Sequence, residues 1–210
     1  MEKVKKGTVE WAVAESARLG QNKSGDRYLV KVDRDQALSA VVDGLGHGEV
    51  AAEAAERAIT TLEENHEESL ITLVRKCHEA LRRTRGVVMS LAKFDGRDHT
   101  VTWLGVGNVE GYILHHEPRL FPVQESLLLR AGIVGDYLPR LSAFIVQASP
   151  GDMLIFATDG IRPGFADQIN LAESSRQIAD RILALHGRSD DDALVLVVRY
   201  LYGRGSKTDF

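Results

Sequence analysis

Residues 37–63, ALSAVVDGLGHGEVAAEAAERAITTLE, constrain the fold more than any other stretch. An apolar strand runs straight into an aspartate, a loop with glycine at every second position follows, and a long alanine-rich helix completes the unit. Ala40, Val41 and Val42 are a short β-prone run. Gly44, Gly46 and Gly48 supply a backbone that can turn tightly and admit a ligand closely. Asp43 is thereby delivered to the mouth of a buried strand. An unpaired charge there costs several kcal/mol or shifts its pKa until it is neutral. Either Asp43 opens an ordinary Asp-Gly turn, or it meets a cation; three other aspartates in similar settings favour the cation.

Residues 8–16 read as a strand, and RLGQNKSG as the loop after it. Asp26 begins DRYLVKVD, in which Tyr28, Val30 and Val32 alternate with polar positions. The turn at residues 33–36 leads into the strand that ends at Asp43, so an antiparallel pair is expected to place Asp26 and Asp43 toward one end of a sheet. A helix from about Glu49 buries Ala51, Ala54, Ala55, Ala58 and Leu62, with Glu53 and Arg57 on its outer face. A second, from Glu68 to Arg85, buries Leu70, Leu73, Val74, Cys77 and Leu81, with acids at its start and arginines at its end. Strand patterns then run from VVMSLAKF through HTVTWLGVG, VEGYILHH, SLLLRAG and RLSAFIVQ to DMLIFATDG. A helix from about Ser174 to Leu185 and a last strand, Ala193 to Tyr200, close the pattern. Strands in runs, interrupted by few helices, specify an α+β fold with antiparallel sheet covered by helices.

The 210 residues suit one domain, taken as residues 1–202 with 203–210 a frayed tail. A net charge of −4 offers no footprint for nucleic acid or an anionic membrane. With no signal-like start and no long apolar run, a cytoplasmic protein is expected. The single cysteine, Cys77, on an apolar helix face, reads as a core thiol.

Four acidic places stand out: Asp26 opening a strand, Asp43-Gly44 ending one, Asp159-Gly160 ending another, and Asp190 to Asp192 opening the last. Carboxylates with backbone carbonyls and water are the ligand set of Mg²⁺ or Mn²⁺, whereas zinc wants histidine or cysteine. Two such ions about 4 Å apart can polarise a phosphoryl oxygen and activate water, so hydrolysis of a phosphate ester is the expected reaction.

Taken together, Asp26 in SGD, VVDGLGHG, GVGN at 105–108, LIFATDGI at 154–161 and DDALVLVV at 191–198 resemble the metal-dependent phosphatases of the protein phosphatase 2C class. The match is nearest the bacterial SpoIIE/RsbX branch of stress signalling. That resemblance implies a four-layer αββα sandwich and a serine/threonine phosphatase working by in-line attack of a metal-bridged water. It implies that Asp43 bridges two Mn²⁺ or Mg²⁺ ions with the Gly44 carbonyl completing one site, that Asp159 and Asp191 hold the other, and that Asp26 is the remaining acid. Asp190 is the rival to Asp191, and Asp192 is expected to cap or orient. His47 is a candidate general acid with loop hydrogen bonding as its other role. The family's larger members carry an arginine upstream of the first acid; here the nearest cation is Lys23, the candidate phosphate contact. Asp136 and Asp152 are assigned to turns.

By the same resemblance, a free-standing domain of this size is most similar to the RsbX type, which removes phosphate from STAS-domain scaffold proteins of the stressosome. Its partners would be those phosphorylated proteins, and a monomer is the default expectation. The alternative is a relative of RsbU or SpoIIE acting on an anti-sigma-factor antagonist. Two further readings compete: Gly46-His47-Gly48-Glu49-Val50-Ala51 fits a dinucleotide-binding pattern if a parallel strand follows the helix, and a catalytically dead module would keep the fold without the acids.

Overall fold

The computed structural model describes residues 4–6, 8–21, 23–117 and 123–201; the expected tail at 203–210 lies outside them. Strand β1 (Val4–Lys6) pairs with β2 (Val9–Ser16), and β3 (Asp26–Asp33) with β4 (Gln36–Gly44). Helices α1 (Glu49–Glu64) and α2 (Leu70–Leu81) follow. Then come β5 (Val87–Asp95), β6 (Thr100–Val106), β7 (Glu110–Leu114), β8 (Gln124–Ser126), β9 (Leu129–Arg130), β10 (Phe144–Gln147) and β11 (Met153–Ala157). A 3₁₀ turn at Phe165–Gln168, helix α3 (Ser175–His186) and strand β12 (Ala193–Tyr200) complete the order.

One sheet runs β1-β2-β12-β11-β7-β8 and the other β10-β6-β5-β4-β3, every neighbouring pair being antiparallel; β9 adds a short parallel pairing to β6. Three apolar cores separate four layers. Val13, Val41, Phe94, Trp103, Phe156, Leu196 and Tyr200 fill the space between the sheets. Leu38, Ala40 and Val42 pack on Ala54, Ala58, Leu62, Leu73 and Cys77 of α1 and α2, while Ile155, Val195 and Val197 pack on Ile178, Ala179 and Ile182 of α3. This is the α+β class expected from the strand runs, in the four-layer sandwich that the resemblance implies. Strands β4 and β12 read as nearly unbroken apolar runs because each has a sheet on one face and helices on the other, which removes the polar alternation of a half-exposed strand.

Small residues set how closely α1 approaches β4. A Cβ on Gly44 would collide with the Ala51 carbonyl, and one on Gly25 would stand 2.9 Å from the Ala51 Cβ. Only glycine fits at 44, for reasons of space rather than of dihedral angle. Helix α2 matches its apolar stripe but is shorter than the expected Glu68–Arg85 span: Ser69 caps it by accepting from the Thr72 N–H at 3.2 Å, and Arg82 is the C-cap, so the acids precede it and Arg83 and Arg85 follow it. The Cys77 thiol is buried and pushed up to about 12, as suits an inert core thiol. Asp152 does sit in a turn, but it is buried: it accepts from the Ser149 and His116 N–H groups, each at 2.8 Å, and contacts His115 Nδ1 at 2.8 Å. Among the described residues, no helix is long and apolar enough to cross a membrane.

The dinucleotide reading fails on topology. The strand after α1 and α2 is β5, which lies beside β4 but antiparallel to it, so no parallel βαβ unit surrounds the glycine loop.

Candidate active site

Four strand ends meet at one edge of the sandwich. In the β3–β4 register Asp26, the first residue of β3, lies directly opposite Asp43, the last but one of β4. Strands β11 and β12 are also neighbours, and their ends deliver Asp159 and the Asp190–Asp192 segment. A cavity of about 490 Å³ opens at this edge, with Asp43, Asp159 and Asp191 in its wall together with Gly46, Asn108 and Ala131. Asp190 is exposed and outside that wall.

The aspartates differ in environment. Asp26 is 2% exposed, and burial, followed by the charge of Asp43, raises its carboxyl well above the ordinary range. Its Oδ2 accepts from the Thr158 hydroxyl at 2.7 Å, and that hydroxyl oxygen accepts in turn from the Leu194 N–H at 2.9 Å. Thr158 therefore ties the start of β12 to the buried acid of the other sheet. Asp43 is half-buried, and its carboxyl is pushed up to about 7 by burial and then by Asp159, Asp191 and Asp192. Asp159 is raised by partial burial and by Asp191; a hydrogen bond from Asn108 Nδ2 at 2.8 Å and the Arg188 charge oppose this.

Asp192 is buried and has a positioning role. It accepts from the Gly25 N–H at 2.7 Å and the Arg18 N–H at 2.8 Å, pinning the loop before β3 against the start of β12. Asp191 turns one oxygen to the Asp192 N–H at 2.9 Å while lining the cavity. At the second Asp-Gly pair, a Cβ on Gly160 would strike the Asp192 carbonyl. Glycine after the aspartate thus serves close approach at both strand ends.

The donor set is all oxygen and the carboxyls are poorly compensated, which fits hard divalent cations. Among the described residues, three ligand atoms within 4.8 Å of one another occur only at surface residues Asp33, His66 and Glu67. The cleft aspartates are therefore set wider than a cage of three side chains around a single ion. Four sequence candidates lie off the cavity wall: Asp26 and Gly44, both buried, and Lys23 and His47. Lys23 is exposed, with its ammonium 3.5 Å from Glu49; His47 is exposed beside the cavity-lining Gly46. Arg85 belongs to the arginine cluster that the sequence places at the end of the second helix, where a solvated helix end is the default reading and a phosphoprotein contact the other; its Nη1 would be 2.7 Å from a Cβ on Gly46. Thr158 and Asn108 have no assigned role in the sequence, although they lie within LIFATDGI and GVGN.

Residues 33–201 match the family described as Stage II sporulation protein E. The chain belongs to the SpoIIE family. Its members are protein phosphatases of the protein phosphatase 2C type, and the SpoIIE-family resemblance extends to curated and solved relatives. The chain is 28% identical over 182 residues to phosphoserine phosphatase RsbX of Bacillus subtilis (strain 168), covering 84% of this chain and 88% of that one. A chain from a structural study of the bacterial stressosome as a modular system controlling secondary messenger signaling is 32% identical. It superposes with a TM-score of 0.83 over 91% of this chain and 99% of its own. The crystal structure of RsbX in complex with magnesium shares the fold at 21% identity, TM-score 0.83, over 95% of this chain and 98% of that one.

Proposed function

We propose that this protein removes phosphate from phosphoserine or phosphothreonine in STAS-domain scaffold proteins of a stressosome, acting in the cytoplasm with two Mn²⁺ or Mg²⁺ ions. The observation that carries the reading is the meeting of Asp43, Asp159 and Asp191 in the wall of one cavity, with Asp43 raised to about 7. The RsbX relative, the stressosome neighbour and the magnesium complex of RsbX support the substrate class and the metal. Bound divalent ions would supply the charge that polarises a phosphoryl oxygen and acidifies water for in-line attack.

The residues of the chain do the rest. Asp43 would be shared between ions, the Gly44 carbonyl would serve one of them, and Asp159 and Asp191 would serve the other. Asp26, buried opposite Asp43 in the strand register, would act directly or through water. Thr158 fixes the Asp26 carboxylate, and Asn108 fixes that of Asp159. We give the phosphate contact to Arg85, above Gly46, rather than to Lys23, whose ammonium faces Glu49. No step is assigned to His47, which does not line the cavity.

The test is Mn²⁺-dependent phosphate release from a phosphorylated STAS protein. It should disappear in EDTA and in Asp43→Asn; release that survives both would end the reading.

A further inference from the structure

A second hollow, of about 450 Å³, is lined by Arg130, Pro139, Arg140 and Ser142. Arg130 ends β9, and the next two residues, Ala131 and Gly132, line the aspartate cavity. One short segment is therefore a wall of both hollows. That wall is thin: a Cβ on Gly132 would come within 2.5 Å of Pro139 Cδ, and the Ile133 N–H donates to the Tyr137 carbonyl at 2.8 Å. Any side chain larger than glycine would thicken the partition or push the Pro139–Arg140 segment away.

The two hollows have opposite sign. The first has three aspartates in its wall; the second is lined by two arginines, a serine and a proline, with no acidic residue. Among the described residues, Arg130 and Arg140 have no ion-pair partner, in a chain whose net charge is −4. A guanidinium pair forks onto carboxylate or phosphate oxygens with geometry that an ammonium cannot offer.

We propose that this hollow docks a second anionic side chain of the substrate polypeptide, a carboxylate or a second phosphate, two or three residues from the phosphorylated serine. Extended backbone advances about 3.3 Å per residue, so a side chain two or three residues away is carried roughly 7–10 Å from the target serine. Holding that anion on arginines also keeps it off the aspartates, which would repel it. The proposal rests on the phosphatase reading above and adds to it a rule for choosing substrate.

The experiment compares wild type with an Arg130→Gln/Arg140→Gln double variant on three phosphoserine peptides. They are identical except for a neutral residue, a glutamate or a second phosphoserine near the target serine. Wild type is expected to prefer the acidic peptides in kcat/KM by about tenfold at low salt, and the double variant to treat all three alike. Preference for both acidic peptides identifies a general anion site; preference confined to the second phosphoserine identifies a phosphate site. As a readout apart from turnover, calorimetric binding of the doubly phosphorylated peptide to Asp43→Asn protein should weaken about tenfold when both arginines are replaced. Equal selectivity in wild type and variant, or no selectivity in wild type, overturns the docking site. Hydrolysis of p-nitrophenyl phosphate by wild type with Mn²⁺ scores the phosphatase reading separately: if it occurs while selectivity is absent, docking alone fails.

Discussion

Replacing Asp43 with asparagine should stabilise the metal-free protein while removing its activity. The carboxyl of Asp43 moves from its ordinary 3.8 to about 7 on folding. A shift of about three units corresponds to about 4 kcal/mol between the protonation states. The sign follows from proton linkage: the folded state binds the proton more tightly, so this contribution is full below the ordinary value and is lost as pH rises through about 7. At pH near 8 the metal-free fold therefore carries an ionised carboxylate that disfavours it by up to about 4 kcal/mol. Asparagine keeps the shape without the charge. For a chain of this size 1 kcal/mol moves Tm by roughly 2–4 °C, so the variant should melt on the order of 10 °C above wild type at pH 8 in EDTA. The two should converge toward pH 4, where wild type is protonated. Thermal unfolding followed by circular dichroism in EDTA across that range measures it. With Mn²⁺ the gap should narrow, because ligand at a hundred times its Kd adds about 2.7 kcal/mol to wild type alone, and it should close near a thousand times Kd, where the gain is about 4.1 kcal/mol. A wild-type Tm in EDTA that stays flat from pH 5 to 8, or an asparagine variant that melts lower at pH 8, refutes the reasoning.

Thr158→Val removes the hydroxyl that bridges Asp26 and the Leu194 N–H; chemical denaturation should report a loss of about 1–3 kcal/mol. Asn108→Ala removes the hydrogen bond that holds Asp159 down. The acid limb of the kcat/KM profile should then move to higher pH, and a profile that stays put or moves lower contradicts the assignment. Arg85→Ala should raise KM for phosphoserine peptides about tenfold with a smaller change in kcat, whereas Lys23→Ala should leave both near wild type.

Much of the fold is legible in the sequence because the sandwich buries its strands on both faces. The runs around Val41, Phe156 and Leu196 are nearly unbroken apolar stretches, the first two ending in Asp-Gly and the third opening after the Asp190–Asp192 triplet. The acids at the site are equally legible, since an aspartate at the end of an apolar strand has few innocent explanations. What the sequence hides is contact between distant segments. The Thr158 hydroxyl reaches a carboxylate 132 positions away, and Asp192 accepts from Gly25 across 167. Pattern along the chain carries no mark of either. Arg85 is visible in the sequence only as one of a cluster of arginines at a solvated helix end; the fold is what sets it against the glycine loop. Lys23, nearest in sequence to the first acid, is drawn to Glu49 instead. Proximity in sequence is a poor guide to which cation stands beside the glycine loop.

The most direct test of the central claim is calorimetric titration of Mn²⁺ into the metal-free protein near pH 7, repeated in buffers of different ionisation enthalpy. With Asp43 at about 7 and Asp26 raised well above the ordinary range, binding should release protons, and the apparent enthalpy should vary with the buffer. Asp43→Asn should abolish or greatly weaken the binding. Binding without proton release, or equal Mn²⁺ affinity in that variant, would contradict the claim that these converging aspartates are a metal site.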